Sequence, residues 1–348
     1  MGEEVFRGQI YEHIMPQKLD LIDRKILWLL SKNARYSNTA IAKALRIKRE
    51  VVAYRIKTMV ENKVINGFFT LIDTRKMGYY VYVVYMKLKT LTHEKEMIDF
   101  LVATPEVSVV SGCSGMYDLH FEITTLALED FDRVFSKIFD KYREVIHDYL
   151  VLNFLREDST GRGFLVDVEE VKSSGIDKFK EIKGSCFQKE FDQQNKGHFI
   201  TNVDELDKQI LSAVNHNSRL TIREISEKLK VSPSTVEQRK RKLIKEGVIK
   251  RFLPLINFSH FNVQWYAVFF YMKDLDESKL VTYLQEEPHT LWYVKYVGKW
   301  NYQVNIFAEN NSHFHDVLNK LRNTFSENIV NFESIIMFNQ YKRGAVFL

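Results

Sequence analysis

The sequence predicts an α+β chain in which one unit of roughly 140 residues is used twice. Three observations carry that expectation. The 348-residue sequence repeats itself when shifted by 184 positions (Leu19 onto Val203). Each copy opens with three short helical periods. Each then alternates strands and helices in the order β-α-β-β-α-β, the ferredoxin-like split motif.

The repeat is read from identities that recur in register. Asp20/Asp204, Asp23/Asp207, Ile26/Ile210, Arg35/Arg219, Ile41/Ile225, Val52/Val236, Arg55/Arg239, Phe68/Phe252 and Ile72/Ile256 are among them. Most are apolar and helically spaced, as a shared core requires. Beyond Gly78 the register is expected to slip by a residue or two, with YMK at 85–87 set against YMK at 271–273, Pro105 against Pro288 and Gly115 against Gly298. The expected division is an N-terminal extension (1–18), winged helix-turn-helix 1 (19–78), ferredoxin-like domain 1 (79–158), a linker (159–202), winged helix-turn-helix 2 (203–262) and ferredoxin-like domain 2 (263–348). Within the linker, 159–166 is glycine-bearing and suits the end of a strand, and the polar run after it suits an exposed spacer with a short helix.

In the second copy, Asp204 and Asp207 precede the apolar set Leu206, Ile210, Leu211 and Val214. Thr221 and Glu224 form a capping box ahead of Ile225 and Leu229. Ser232 is the next cap, with Pro233 at the first helical position, ahead of Val236 and Leu243. Only Lys230 and Val231 separate the second and third helices, a helix-turn-helix signal. The run VIKRFLPLINF then reads as a wing. In the second half of each unit, helices cover one face of the sheet and leave the other apolar, so a partner sheet is expected, namely that of the other copy.

Composition sets the bounds. Hydrophobic residues make up 45% and aromatics 13%, enough for packed cores, and no run reaches the roughly 20 apolar residues of a membrane span. The N-terminus lacks the apolar stretch of a secretory signal. Two cysteines, Cys113 and Cys186, do not make a disulfide framework, so a reducing cytoplasm is the expected location. The net charge of +5 permits a polyanionic partner without demanding one.

The segments LDLIDRKILWLLSKNARYSNTAIAKALRI and VDELDKQILSAVNHNSRLTIREISEKLKVSPSTVEQRKRKLIKEGVI, with GMYD at 115–118, resemble the Lrp/AsnC (feast/famine) transcription regulators, fused in tandem. The resemblance covers both copies. It implies double-stranded DNA as partner, pairing through the ferredoxin-like sheets, assembly into larger oligomers and an amino-acid or similar effector. A tandem fusion would make an intramolecular pseudo-dimer. No cofactor and no metal are implied.

At about 100° per residue, Val236, Leu243 and Lys240 share the inward stripe of the third helix. Its outward face holds Ser234, Thr235, Gln238, Arg241, Lys242 and Lys245, after the Ser232 cap, with Arg239 on the flank. Cations hold phosphates, and Gln238 or Ser234 can read base edges. Lys240 departs from the pattern, standing where the first copy has Ile56, and its ammonium is expected to snorkel to an edge. The matching face of the first copy holds Glu50, Val51, Tyr54, Lys57, Thr58 and Glu61, so carboxylates point where phosphate would lie. Basic residues remain at the helix start, Arg46, Lys48 and Arg49, and Arg55 and Lys57 are further candidate contacts. Either this helix reads a different half-site, or it has drifted from DNA.

The turn at Gly115, Tyr117 and Asp118 becomes Gly298, Trp300 and Asn301 in the second copy. The resemblance places an effector there, where Asp118 would accept from an ammonium. Otherwise Asp118 and Asn301 cap the turn. Two other function classes stay open. Sirohaem decarboxylases share this architecture, and such chemistry would need His120, Arg133, His313 or His315 to converge in a pocket. An RNA- or protein-binding scaffold that uses the winged helices is the third.

Overall fold

The computed structural model describes residues 6–7, 17–159, 163–166, 168–174, 176 and 200–347. The first copy runs α1 (Leu21–Lys32), α2 (Asn38–Leu45), α3 (Arg49–Glu61), β2 (Ile65–Ile72), β3 (Tyr80–Leu88), α4 (Glu94–Ala103), β4 (Val107–Ser114), β5 (Leu119–Thr125), α5 (Leu128–Tyr142) and β6 (Ile146–Ser159), after a two-residue strand β1 (Phe6–Arg7). A short helix α6 (Val168–Ser174) follows. The second copy runs α7 (Glu205–His216), α8 (Ile222–Leu229), α9 (Pro233–Lys245), β7 (Ile249–Ile256), β8 (Gln264–Met272), α10 (Glu277–Glu286), β9 (Thr290–Val297), β10 (Tyr302–Ala308), α11 (Asn311–Thr324) and β11 (Ile329–Arg343). Most of the expected N-terminal extension and linker, with Cys186, lies outside the described residues.

The helical starts are where the capping residues put them. Asp20 with Asp23, Asp204 with Asp207, and Thr221 with Glu224 each form a reciprocal box, and Ser232 caps α9 with proline in its first turn. Arg46 and Lys230 adopt left-handed conformations, both with φ of 56°, and turn the chain from the second helix into the third.

The two ferredoxin-like sheets join at both edges. β6 pairs antiparallel with β9, and β11 pairs with β4 as well as with β8, so the order β11-β4-β5-β3-β6-β9-β10-β8 closes on itself. Strand alternation sorts the two faces. Val84, Met86, Leu119 and Phe121 pack outward on Met97, Leu101, Val134 and Ile138, and Val268, Phe270 and Val304 do the same with Leu280, Leu284 and Leu318. Val83, Tyr85, Leu152, Ala267, Phe269, Tyr296, Ile335 and Met337 point inward to a core that both copies share. At its centre Tyr85 and Tyr296 hydroxyls donate to Gln303 Oε1 (2.8 and 2.7 Å), and Gln303 Nε2 donates to Asn305 Oδ1 (3.0 Å). Buried polar atoms satisfied in this way specify one arrangement of the two sheets.

Two expectations are corrected. The strand read as a wing does not stand free: β2 pairs with β7 across the copies, forming a ribbon from Ile65↔Ile256 to Ile72↔Ile249. The YMK alignment also fails. The amides of Asp118 and Asn301 donate to the carbonyls of Met86 and Phe270 (2.9 and 3.1 Å), so Met86 corresponds to Phe270 and the 184-residue register holds through β3 and β8. Main-chain bonds mark the true equivalence, and YMK recurs two positions out of step.

The turns at Gly115 and Gly298 have φ of +120° and +147°, the region that favours glycine. A Cβ on Gly298 would lie 2.7 Å from Leu152 Cδ2, a buried side chain of the other copy, whereas on Gly115 its nearest neighbour would be Ile335 Cγ2 at 3.5 Å. Gly298→Ala should therefore lower stability in urea unfolding by about 1–3 kcal/mol, and by more than Gly115→Ala, which meets backbone strain alone.

Candidate nucleic-acid interface

Each helix-turn-helix is locked to the cross-copy ribbon by bonds related by a pseudo-twofold. The Ala34 amide donates to the Phe252 carbonyl and the Ser218 amide to the Phe68 carbonyl, both at 2.9 Å. Arg35 donates to the carbonyls of Ser218 (2.5 Å) and Leu220 (2.9 Å) and lies 5.4 Å from the Phe252 ring centroid. Arg219 stacks likewise over Phe68 at 5.0 Å. Burial lowers both guanidinium pKa values, and the charge of Arg219 lowers that of Arg35 further. These contacts set α3 and α9 at fixed positions relative to each other.

On α9, Ser232 accepts from the Thr235 amide at 3.1 Å, and its hydroxyl lies 2.8 Å from those of Ser234 and Thr235. Ser232, Ser234, Gln238, Arg241 and Lys245 are exposed, and Thr235 is half-buried. Arg241 meets Glu237 one turn back at 2.5 Å, an exposed pair of small net worth that can open toward a phosphate.

Two residues expected at the DNA interface, Lys242 on the outward face and Arg239 on its flank, are bound elsewhere. Arg239 Nη1 lies 2.5 Å from Asp204 and 3.3 Å from Asp207, and Lys242 donates to the Asn202 carbonyl (2.9 Å) and to Asp207 (3.3 Å). The Asp207 side chain is fully buried, so these cations compensate a charge that would otherwise stand alone. In the first copy Arg55 bridges Asp20 (2.7 Å) and Asp23 (2.8 Å) in the same way. The signal was present in the sequence: Asp20, Asp23 and Arg55 recur together as Asp204, Asp207 and Arg239.

The rest of α3 is different in kind. Lys48 occupies the cap position without a side-chain bond, and with Arg49 it is exposed. Lys57 pairs with Glu61 at 3.6 Å. Tyr54 is 70% exposed, and Val51 and Val60 are also open to solvent.

Lys240 does not snorkel. It is 7% exposed, with its ammonium 5.0 Å from the Phe252 ring centroid. Burial first, and the nearby Arg35 charge second, bring its pKa from 10.5 down to about 7.

The sensing-turn residues bond to the neighbouring strands. Asp118 accepts from Lys87 Nζ at 2.9 Å and from the Leu88 amide at 2.8 Å, and Asn301 accepts from the Met272 amide (2.9 Å) and donates to its carbonyl (2.7 Å). Each clips its turn to the neighbouring strand. Tyr117 and Trp300 are buried in the shared core, where Tyr117 faces Tyr85 and Trp300 faces Phe269 at centroid distances of 5.6 and 6.2 Å. His120 stacks on Tyr85 at 4.7 Å, Arg133 pairs with Asp130 on the surface, and His313 lies against His289 at 4.3 Å. The histidines and arginine considered for catalysis do not converge. Among the described residues no group of three or more metal-ligating side chains occurs, and no helix is long and apolar enough to cross a membrane.

The winged helix-turn-helix DNA-binding family matches residues 19–66 and 203–250. An HTH-type transcriptional regulator of Pyrococcus horikoshii is 30% identical over 135 residues, 38% of this chain and 87% of the relative. The chain belongs to the Lrp/AsnC-type HTH transcriptional regulators. HTH-type transcriptional regulator LrpC of Bacillus subtilis is 27% identical over 119 residues, 34% of this chain and 83% of that protein. Along its whole length the chain is similar in fold to the siroheme decarboxylase NirDL, with a TM-score of 0.58 over 93% of each chain at 15% identity. That likeness is one of fold alone. As a DNA-binding regulator of this type, the chain carries two helix-turn-helix units on one polypeptide.

The folded pKa of Lys240 lies below its unfolded value. The unfolded chain therefore binds the extra proton between about pH 7 and 10.5, and stability rises with pH across that window. Below pH 7 the burial penalty is present in full. Lys240→Ile, which reproduces the first copy's Ile56, should raise unfolding free energy by about 1–3 kcal/mol at pH 7. It should also flatten the rise between pH 7 and 10 in denaturant titrations.

Proposed function

We propose that the chain regulates transcription chiefly through α9, which enters the major groove of duplex DNA. Gln238 and Ser234 face base edges there, and Arg241, Lys245 and Thr235 hold phosphates. The observation that carries this reading is the contrast between the two third helices. The exposed face of α9 carries Ser234, Gln238, Arg241 and Lys245 behind a Ser-Pro cap, whereas that of α3 carries Glu50, Val51, Tyr54, Lys57 and Glu61 behind an uncapped Lys48. On this reading Arg239, Lys242 and Arg55 position their helices through the aspartates, and Lys48 and Arg49 at the start of α3 touch the backbone at most.

The proposal divides the chain at the expected boundaries, with helix-turn-helix units at 19–78 and 203–262 and sheet domains at 79–158 and 263–348. It makes the protein a cytoplasmic regulator rather than an enzyme. Family membership supports a small-metabolite effector and assembly beyond the single chain. The Asp118 clip limits where an effector sits, because both carboxylate oxygens already have donors. An incoming ammonium would have to displace Lys87.

Binding-site selection followed by gel shifts across a salt series tests the reading. Lys245→Ala should weaken binding similarly on all sequences and reduce the slope of log K against log salt by about one, and Gln238→Ala should relax base preference by about 1–3 kcal/mol. Lys57→Ala should leave the slope unchanged. An equal effect at Lys57, or a preference for RNA over duplex DNA, would reject the assignment.

A further inference from the structure

The inner faces of the two sheets are unequally filled. In the second copy Trp265, Trp292 and Phe307 pack together, with centroid distances of 5.2, 5.9 and 5.7 Å among them. Strand registers place Val81, Val109 and Thr124 at the corresponding positions of the first copy. Three aromatic rings are exchanged for three small side chains. A cavity of about 150 Å³ lies beside them, between the inner sheet face and the chain that leads from the cross-copy ribbon to Arg75. A cavity of that volume holds a ligand about the size of benzene.

The same exchange leaves a charge. Glu122 stands where the second copy has Asn305, whose Oδ1 accepts from Trp265 Nε1 at 2.8 Å and from Gln303 at 3.0 Å. Glu122 instead has the Ser108 hydroxyl at 3.5 Å and His120 Nε2 at 3.9 Å. Burial drops His120 to a pKa of about 3, so it is neutral, and its Nδ1 has no hydrogen-bond partner. The other charges around the cavity pair off. Arg75 forks onto Asp73 at 2.8 and 2.6 Å, Lys250 reaches Asp158 at 3.4 Å, and Arg343 lies 4.0 Å from Glu157. Among the described residues, the only basic side chain within 4 Å of the Glu122 carboxylate is the neutral His120. Its depth first, and the charge of Glu157 second, push its pKa up to about 7 against the pull of Arg343 and the Ser108 hydroxyl. Although it lies deep in the molecule, 25% of its side-chain surface is open, because it faces the cavity.

We propose that this cavity binds a small organic cation, a primary amine no larger than an aromatic ring, whose ammonium pairs with Glu122 while its apolar part lies against Val81, Val109 and Trp265. A neutral ligand would leave the ionised form of Glu122 unpaired in a low-dielectric site, and that form would repel an anion. The aromatic wall favours a cation as well. The site is distinct from the Gly115–Asp118 turn and goes beyond the DNA-binding reading.

Calorimetry on the full chain near pH 7 tests this with n-butylammonium, n-butanol and butyrate. The amine should bind at least about tenfold tighter than the alcohol, a difference near 1.4 kcal/mol, and butyrate should bind weakest. Pairing with the ammonium favours ionised Glu122, so amine binding should release protons, which is read by comparing buffers of different ionisation enthalpy. Glu122→Gln, with its fold checked by circular dichroism, should bind amine and alcohol alike and release no protons. Absence of amine binding, equal binding of amine and alcohol to the wild-type chain, or an amine preference that survives Glu122→Gln would each overturn the proposal.

Discussion

β11 bonds to β8 of its own copy along one edge and to β4 of the other copy along the opposite edge, and β6 does the same between β3 and β9. This edge pairing is the constraint on which the rest of the structure depends. A four-stranded sheet with helices on one face has two unsatisfied edges and one bare apolar face. Closing two such sheets on each other satisfies the edges and turns both bare faces into a single interior. The shared core, the Tyr85–Gln303–Tyr296 bonds and the cavity beside Glu122 exist because of that closure.

The helix-turn-helix units depend on the same pairing one step removed. Their hydrophobic stripes do not end within their own sequence. Ile256 completes the first unit's core, and Ile72 and Met77 pack on the second. The ribbon β2–β7 thus belongs to both, and Arg35 and Arg219 fasten each unit to the opposite strand. The two third helices are joined through one ribbon, so a difference between their exposed faces is a difference in what one folded unit presents to DNA. The price of holding them together is seen at Lys240, an ammonium kept under Phe252 beside Arg35.

Much of this was legible in order along the chain. The capping boxes at Asp20, Asp204 and Thr221, the Ser232–Pro233 start and the period-two strands announced their elements, because those signals act over three or four residues. The roles of charged side chains were less legible. Arg239 and Lys242 fall on or near the outward face by helical arithmetic, yet the aspartates that hold them lie 30 or more residues away. Only the recurrence of Asp20, Asp23 and Arg55 in the other copy hinted at a structural use. Asp118 and Asn301 were read both as ligand groups and as turn caps, and their bonds to β3 and β8 favour the cap.

The sequence by itself determined the repeated unit, the order of helices and strands within it and the inequality of the two recognition helices, since these follow from local periodicity, capping and side-chain charge. Tertiary structure alone decided that the wing strands pair across the copies, that the sheets close edge to edge, that Lys240 is buried and that Glu122 faces a cavity. Each of those facts joins residues far apart in the chain. Backbone bonding and packing choose such partners with little regard to residue identity, so no local pattern records the choice.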